Sequence, residues 1–202
     1  MTASAFVFDT TLYSMYAGYG RDFGANLVGN ADFRMDFSLR IGAETHSGGI
    51  DGTRSGFSIV VTDESAQGIE LSFWTDQVFA KNAAAGFPRG DSIAVDTTSK
   101  RDYRLTVLGG QYTLVTDGVP TLSGALASYA PYASWPFNVV PYGTPNYIFF
   151  GDNTSSASAL VELSSITLAP VPEPAEWALM AVGLACVAGV VRRRRRAMAG
   201  AA

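Results

Sequence analysis

The run FRMDFSLRI, residues 33–41, alternates apolar and polar side chains without a break: Phe33, Met35, Phe37, Leu39 and Ile41 against Arg34, Asp36, Ser38 and Arg40. Such a period of two is satisfied by extended backbone with one face on a core; a helix would scatter the apolar groups around its circumference. The rhythm recurs in IELSFW, where Ile69, Leu71 and Phe73 alternate with Glu70 and Ser72, and in YRLTV, where Tyr103, Leu105 and Val107 share a face. Gly109-Gly110 and Asp117-Gly118 bracket the run QYTLVT, which predicts two tight hairpin turns in succession. PNYIFFGD and ALVELSSITLA add two more strands, and a slip of phase between Leu163 and Ile166 predicts a β-bulge at Ser164-Ser165. No window of residues 1–170 sustains a capped 3.6-residue period. The body is therefore all-β, an antiparallel sandwich or barrel. Pro131, Pro136, Pro141 and Pro145 punctuate residues 125–145, which predicts a long aromatic-bearing loop or edge excursion there.

Charge divides the chain. Residues 1–170 carry 9 Lys/Arg against 16 Asp/Glu, whereas residues 171–202 carry 5 Arg against 2 Glu. An acidic body repels polyanions, so nucleic acid is not an expected partner. The single cysteine, Cys186, lies in the tail and leaves the body without a disulfide or thiolate metal site. It reads as a small hydrophobe.

The tail is tripartite. Residues 175–191 form a 17-residue apolar run whose only charge is Glu176, followed by Arg192, Arg193, Arg194, Arg195 and Arg196. As a helix the run spans roughly 25 Å, just short of a ~30 Å hydrocarbon core, and snorkelling arginines cover the shortfall. They also hold that end in the cytoplasm and place the body on the far side of the membrane. Ahead of the run, two prolines bracket Glu173 and keep the chain extended. Val171, Pro172, Glu173 and Pro174, then the apolar segment, then the arginines, resemble the PEP-CTERM sorting signal of bacterial exopolysaccharide producers. That resemblance implies a membrane-embedded exosortase as partner, removal of the anchor, and a destination at the cell surface or in the extracellular matrix. It divides the chain into a β-sandwich domain, residues 1–170, and a sorting signal, residues 171–202. Members of that family also carry an N-terminal signal peptide. MTASAFVFDTTLYSMYAGYG, with no basic start and with Asp9 among its apolar residues, does not fit one.

The body has its own resemblance. GFSIVV, GIELSFWTDQVFA, DYRLTVLGGQYTLVTDG and NYIFFGDNTSSASA, in that order, are similar to the strands of concanavalin A-like jelly rolls. The resemblance implies a two-sheet sandwich, some of whose relatives bind glycans or Ca²⁺.

The search for chemistry starts with carboxylates. A retaining glycanase needs two of them about 5 Å apart, but Glu70 stands alone, Asp76 lies past Trp74, and Glu162 is isolated. The only histidine, His46, sits in AETHSGGIDGTRSG without a metal or triad motif and reads as a loop residue. Asp152 and Asn153, at the end of the IFF strand, have the oxygens to ligate Ca²⁺ with Asp76 or Asp117; the alternative is an Asx turn. Tyr129, Tyr132, Trp135, Tyr142 and Tyr147 either stack on sugar rings or pack in the core. The expectation is a non-enzymatic, exported surface or matrix protein binding exopolysaccharide, without a cofactor unless Ca²⁺ fills that site. The alternative is a secreted glycan-active hydrolase.

The tail reading carries its own test. Full-length protein should sediment with membranes, and a chain ending at Pro170 should remain in the supernatant. Membrane retention of the shortened chain would show that residues 171–202 are not the anchor.

Overall fold

A computed structural model describes residues 6–12, 17–22, 32–46, 53–82, 88–132 and 141–171, with Val182 and Cys186. Its strands are β1 (Phe6–Asp9), β2 (Ala17–Asp22), β3 (Phe33–His46), β4 (Ser58–Thr62), β5 (Gln67–Phe73), β6 (Gln77–Lys81) and β7 (Arg89–Ala94), then β8 (Arg101–Leu108), β9 (Gln111–Thr116), β10 (Val119–Ala125), β11 (Ala127–Ser128), β12 (Tyr147–Asp152) and β13 (Ala157–Pro170). They form two antiparallel sheets. One has six strands in the order β1-β13-β3-β8-β9-β10; the other has seven, in the order β2-β12-β4-β5-β6-β7 with β11 on β5. The body is thus an all-β two-sheet sandwich of jelly-roll type.

The chain divides into two compact units, Met1–Pro170 and Val171–Ala202. In the second, Val182 and Cys186 are helical and exposed. Among the described residues no helix is long and apolar enough to cross a membrane. Pro172, Glu173, Pro174, Arg192 to Arg196 and nearly all of the 175–191 segment lie outside them, as does Trp135.

The alternation read in residues 33–41 holds in space. Met35 pairs with Leu105 and Phe37 with Tyr103 across β3 and β8, so their side chains share the inner face. All four are buried. Phe37 stacks on Tyr103 at 5.2 Å and meets Phe73 of the facing sheet edge-on at 6.2 Å. Such contacts lock the sheets together, with about 1.5–3 kcal/mol from each fully buried large apolar side chain. The hairpin turns behave as their residues dictate: Gly109, Gly110, Asp117 and Gly118 all have φ between +50° and +83°, the left-handed pair a tight hairpin needs. Strand β13 carries the expected bulge, a register slip between Ser164 and Thr167 with Ser165 at φ +58°.

Two expectations need correction. Strand β3 extends to His46, so that histidine is a strand residue rather than a loop residue. Glu70 and Ser72 alternate with the core residues of β5 but do not face water; both are fully buried. The reason is a second apolar layer. Tyr129 and Tyr142 pack with Val60 and Ala66 on the outer face of the seven-stranded sheet, joined by Ala127, Tyr132 and Phe149. The six-stranded sheet differs, because its outer face bears the exposed ion pairs Arg34–Asp36 (2.8 Å) and Arg104–Asp36 (2.6 Å).

Leu105 has no exposed surface. Leu105→Asp should therefore cost several kcal/mol, read as a large fall in the urea midpoint. An unchanged midpoint would mean the strand phase is wrong.

Candidate functional site

Covering one sheet leaves the ends of the sandwich as the places where a ligand can enter. At one end, β6 and β7 of the seven-stranded sheet lie across from β9 and β10 of the other. A groove of about 250 Å³ opens between them, with Lys81, Asn82 and Asp91 on one side and Tyr112 and the 124–127 segment on the other. The strand register builds it. The β6–β7 pairing slips between Phe79 and Lys81, setting Lys81 opposite Arg89 and curving the edge. Gly124 lets the Tyr112 ring lie close against β10: a Cβ there would stand 3.0 Å from the ring, which would have to shift by a few tenths of an ångström.

Asn82 and Asp91 are exposed at the rim, while Lys81 and the Tyr112 ring are buried. Burial, aided by the Asp91 carboxylate, pushes the Tyr112 phenol up to about 12. The groove thus offers a carboxylate, an amide and a neutral phenol hydroxyl within one small volume. That is a set of alternating donors and acceptors suited to a polyol.

Behind the floor runs a buried network. Glu70 Oε1 lies 3.9 Å from Lys81 Nζ, and Tyr142 donates its hydroxyl proton to Glu70 Oε2 at 2.8 Å. Asn153 Nδ2 donates to the Tyr142 oxygen at 2.6 Å. Tyr129 stacks on Tyr142 with centroids 5.3 Å apart. Burial, reinforced by the Glu70 charge, raises both phenols far above the ordinary tyrosine range. An ion pair withdrawn from water this far costs desolvation, which the Tyr142 hydrogen bond partly offsets. One signal in the sequence points to this layer: β4, SIVVT, is apolar at three consecutive positions, which is the mark of a strand buried on both faces.

Of the residues singled out from sequence, Glu70, Tyr129, Tyr142 and Asn153 meet in this buried network. Asp152 is 1% exposed and accepts the Thr154 amide at 3.0 Å, the Asx turn that was the alternative to metal ligation. Asp117 sits in the β9–β10 turn, accepting from Arg101 at 2.8 Å and from the Asp102 amide at 3.0 Å. Asp76 lies in the β5–β6 turn. Among the described residues no group of three or more His, Cys, Asp or Glu gathers to hold a metal. Asp152 and Asn153, read as Ca²⁺ ligands together with Asp76 or Asp117, have local partners: Asp152 and Asp117 each accept a nearby backbone amide, and Asn153 donates to Tyr142. Tyr129 and Tyr142 are core residues, and Tyr147 lies with its ring over Gly20. His46, read from sequence as a loop residue, packs against the sandwich at the end of β3. Its ring stacks on Trp74 at 3.8 Å, and Nδ1 is 2.5 Å from Glu44, whose carboxyl is raised chiefly by burial.

No protein-family model matches the chain, and no curated protein matches it. Solved structures share its fold. The A. japonicus protein CB05 aligns with TM-score 0.51 at 11% identity over 86% of this chain, which spans 26% of that one. The galectin LEC-6 of Caenorhabditis elegans aligns at 0.46 and 10% identity, over 82% of this chain and 96% of its own. The carbohydrate-binding module CBM66 from Bacillus subtilis aligns at 0.41 and 10% identity, over 83% of each chain. At such identities the likeness is one of fold alone.

Asp152 supplies a test by pH. Its burial raises the carboxyl to about 6, against the Thr154 amide and the nearby Thr10 hydroxyl, which pull it down. An acid raised above its unfolded value favours the folded state while protonated, and that contribution is lost as pH rises through about 6. Asp152→Asn keeps the turn acceptor and removes the charge. It should gain on wild type between about pH 4 and 6 by roughly 1–2 kcal/mol, the full shift being trimmed by residual solvent screening. Parallel urea midpoints for the two proteins across that range would refute the assignment.

Proposed function

We propose that the body is a non-enzymatic carbohydrate-binding sandwich, exported and held at the membrane by its tail until an exosortase releases it to the cell surface or matrix. The observation that carries the binding half is the groove between β6–β7 and β9–β10, where Asp91, Asn82 and the Tyr112 hydroxyl face one small polar volume. Vicinal sugar hydroxyls present donors and acceptors at the spacing that a carboxylate and an amide take up together. The acidic body disfavours polyanions, so the ligand is a neutral exopolysaccharide. The sorting half rests on Val171 to Pro174, the apolar run and Arg192 to Arg196 as they stand in the sequence. The hydrolase alternative lacks an accessible acid in β5, since Glu70 is sealed beneath Tyr142 and engaged with it.

Glycan-array binding by the full chain tests the first half. Asp91→Ala should weaken capture of a neutral polysaccharide about tenfold with an unchanged CD spectrum, because Asp91 is exposed. No reducing ends should be released. Binding indifferent to Asp91, or release of sugar, would overturn the reading. For the second half, in a host with an exosortase, mass spectrometry of the surface fraction should find a C-terminus before Trp177. An intact Ala202 terminus would leave the tail as a simple anchor.

A further inference from the structure

The opposite end of the sandwich is chemically unlike the first. There β1 and β2, each outermost among the described strands of its sheet, flank a cleft of about 220 Å³ that reaches the core residues Met35, Ile148, Leu163 and Phe150. Register shows how its mouth is built. Phe6 pairs with Leu163 on β13, and Tyr19 and Arg21 pair with Phe150 and Ile148 on β12. Directly opposed residues share a face, so all three project between the sheets, where every neighbour belongs to the core. Phe6 and Tyr19 stack at 6.3 Å from one sheet to the other, yet remain 38% and 57% exposed. Arg21 is the one charged residue in the described lining, and it sits on the inward face of an edge strand.

A roomy apolar cavity stays dry and gains contacts when an apolar guest enters. A guanidinium at its mouth adds a preference for a negatively charged head group over a positive one. We propose that this cleft binds a single-chain fatty carboxylate, its acyl chain passing under the Phe6–Tyr19 pair onto Met35, Ile148 and Leu163 and its head group on Arg21. The site is separate from the polar groove and does not depend on carbohydrate binding. The competing account of Arg21 is that an inward charge merely guards an edge strand against pairing with another chain.

The two accounts separate by methyl NMR on the full chain in lipid nanodiscs, with Met, Ile and Leu methyls labelled and octanoate or octyltrimethylammonium as probe. Empty nanodiscs calibrate the free probe concentration. Octanoate should shift the Met35, Ile148 and Leu163 methyls saturably and bind about fivefold more tightly than the cationic probe. Arg21→Glu should reverse that order, and Arg21→Gln should bring the two probes level while the other core methyls keep their positions. The proposal is overturned if those methyls do not respond saturably, if wild type takes both probes equally, or if the order survives Arg21→Glu, in which case Arg21 only guards the edge.

Discussion

The hydrogen bond from Tyr142 to Glu70, with Lys81 3.9 Å from the other oxygen of the same carboxylate, fixes a charged pair beneath the outer surface of the seven-stranded sheet. Removing two charges from water is costly, and the arrangement persists only while aromatic rings exclude solvent and donors meet the carboxylate. Tyr129 and Tyr142 do the first, and the Tyr142 hydroxyl, itself held by Asn153, does the second. The segment carrying the tyrosines is thus tied to the sheet by chemistry that an apolar contact alone would not specify.

That covering decides what the rest of the molecule can do. Where the tyrosine layer covers β4 and β5 the seven-stranded sheet is buried on both faces, whereas the six-stranded sheet faces water with the Arg34, Asp36 and Arg104 ion pairs. What remains are the two ends where the sheets part. At the β7 and β10 end a carboxylate, an amide and a phenol hydroxyl line a polar groove. At the β1 and β2 end a pair of rings and one arginine close over an apolar cleft. The same sandwich therefore presents two chemistries, one at each pair of edges, and the buried Lys81 links the polar one to the network behind it.

Much of the fold was legible because alternation and turn residues act locally. Residues 33–41 could bury their five apolar groups on one side only as a strand, and Gly109-Gly110 could hardly be anything but a hairpin turn. Even the bulge at Ser164-Ser165 showed as a slip in phase. The layer over the second sheet was not legible in the same way. A glutamate alternating with Ile69 and Leu71 looks solvated until a distant tyrosine is placed on it, and that placement depends on a chain separation of 72 residues. The turn carboxylates were no more legible: Asp152 and Asp117 satisfy backbone amides beside them, and proximity between turns is set by topology, which residue type does not report. Asp91 and Asn82 carry no motif at all; only the crossing of two sheet edges makes them neighbours of Tyr112.

The central claim is that the outer face of the seven-stranded sheet is sealed over β4 and β5 while its edge groove is open, and carboxyl footprinting of the full chain with a water-soluble carbodiimide measures it directly. The account predicts rapid modification of Asp91 and strong protection of Glu70. Modification of Glu70 at a rate comparable to that of Asp91 would contradict it, because the carboxylate would then lie in water and the tyrosine layer would not be closed.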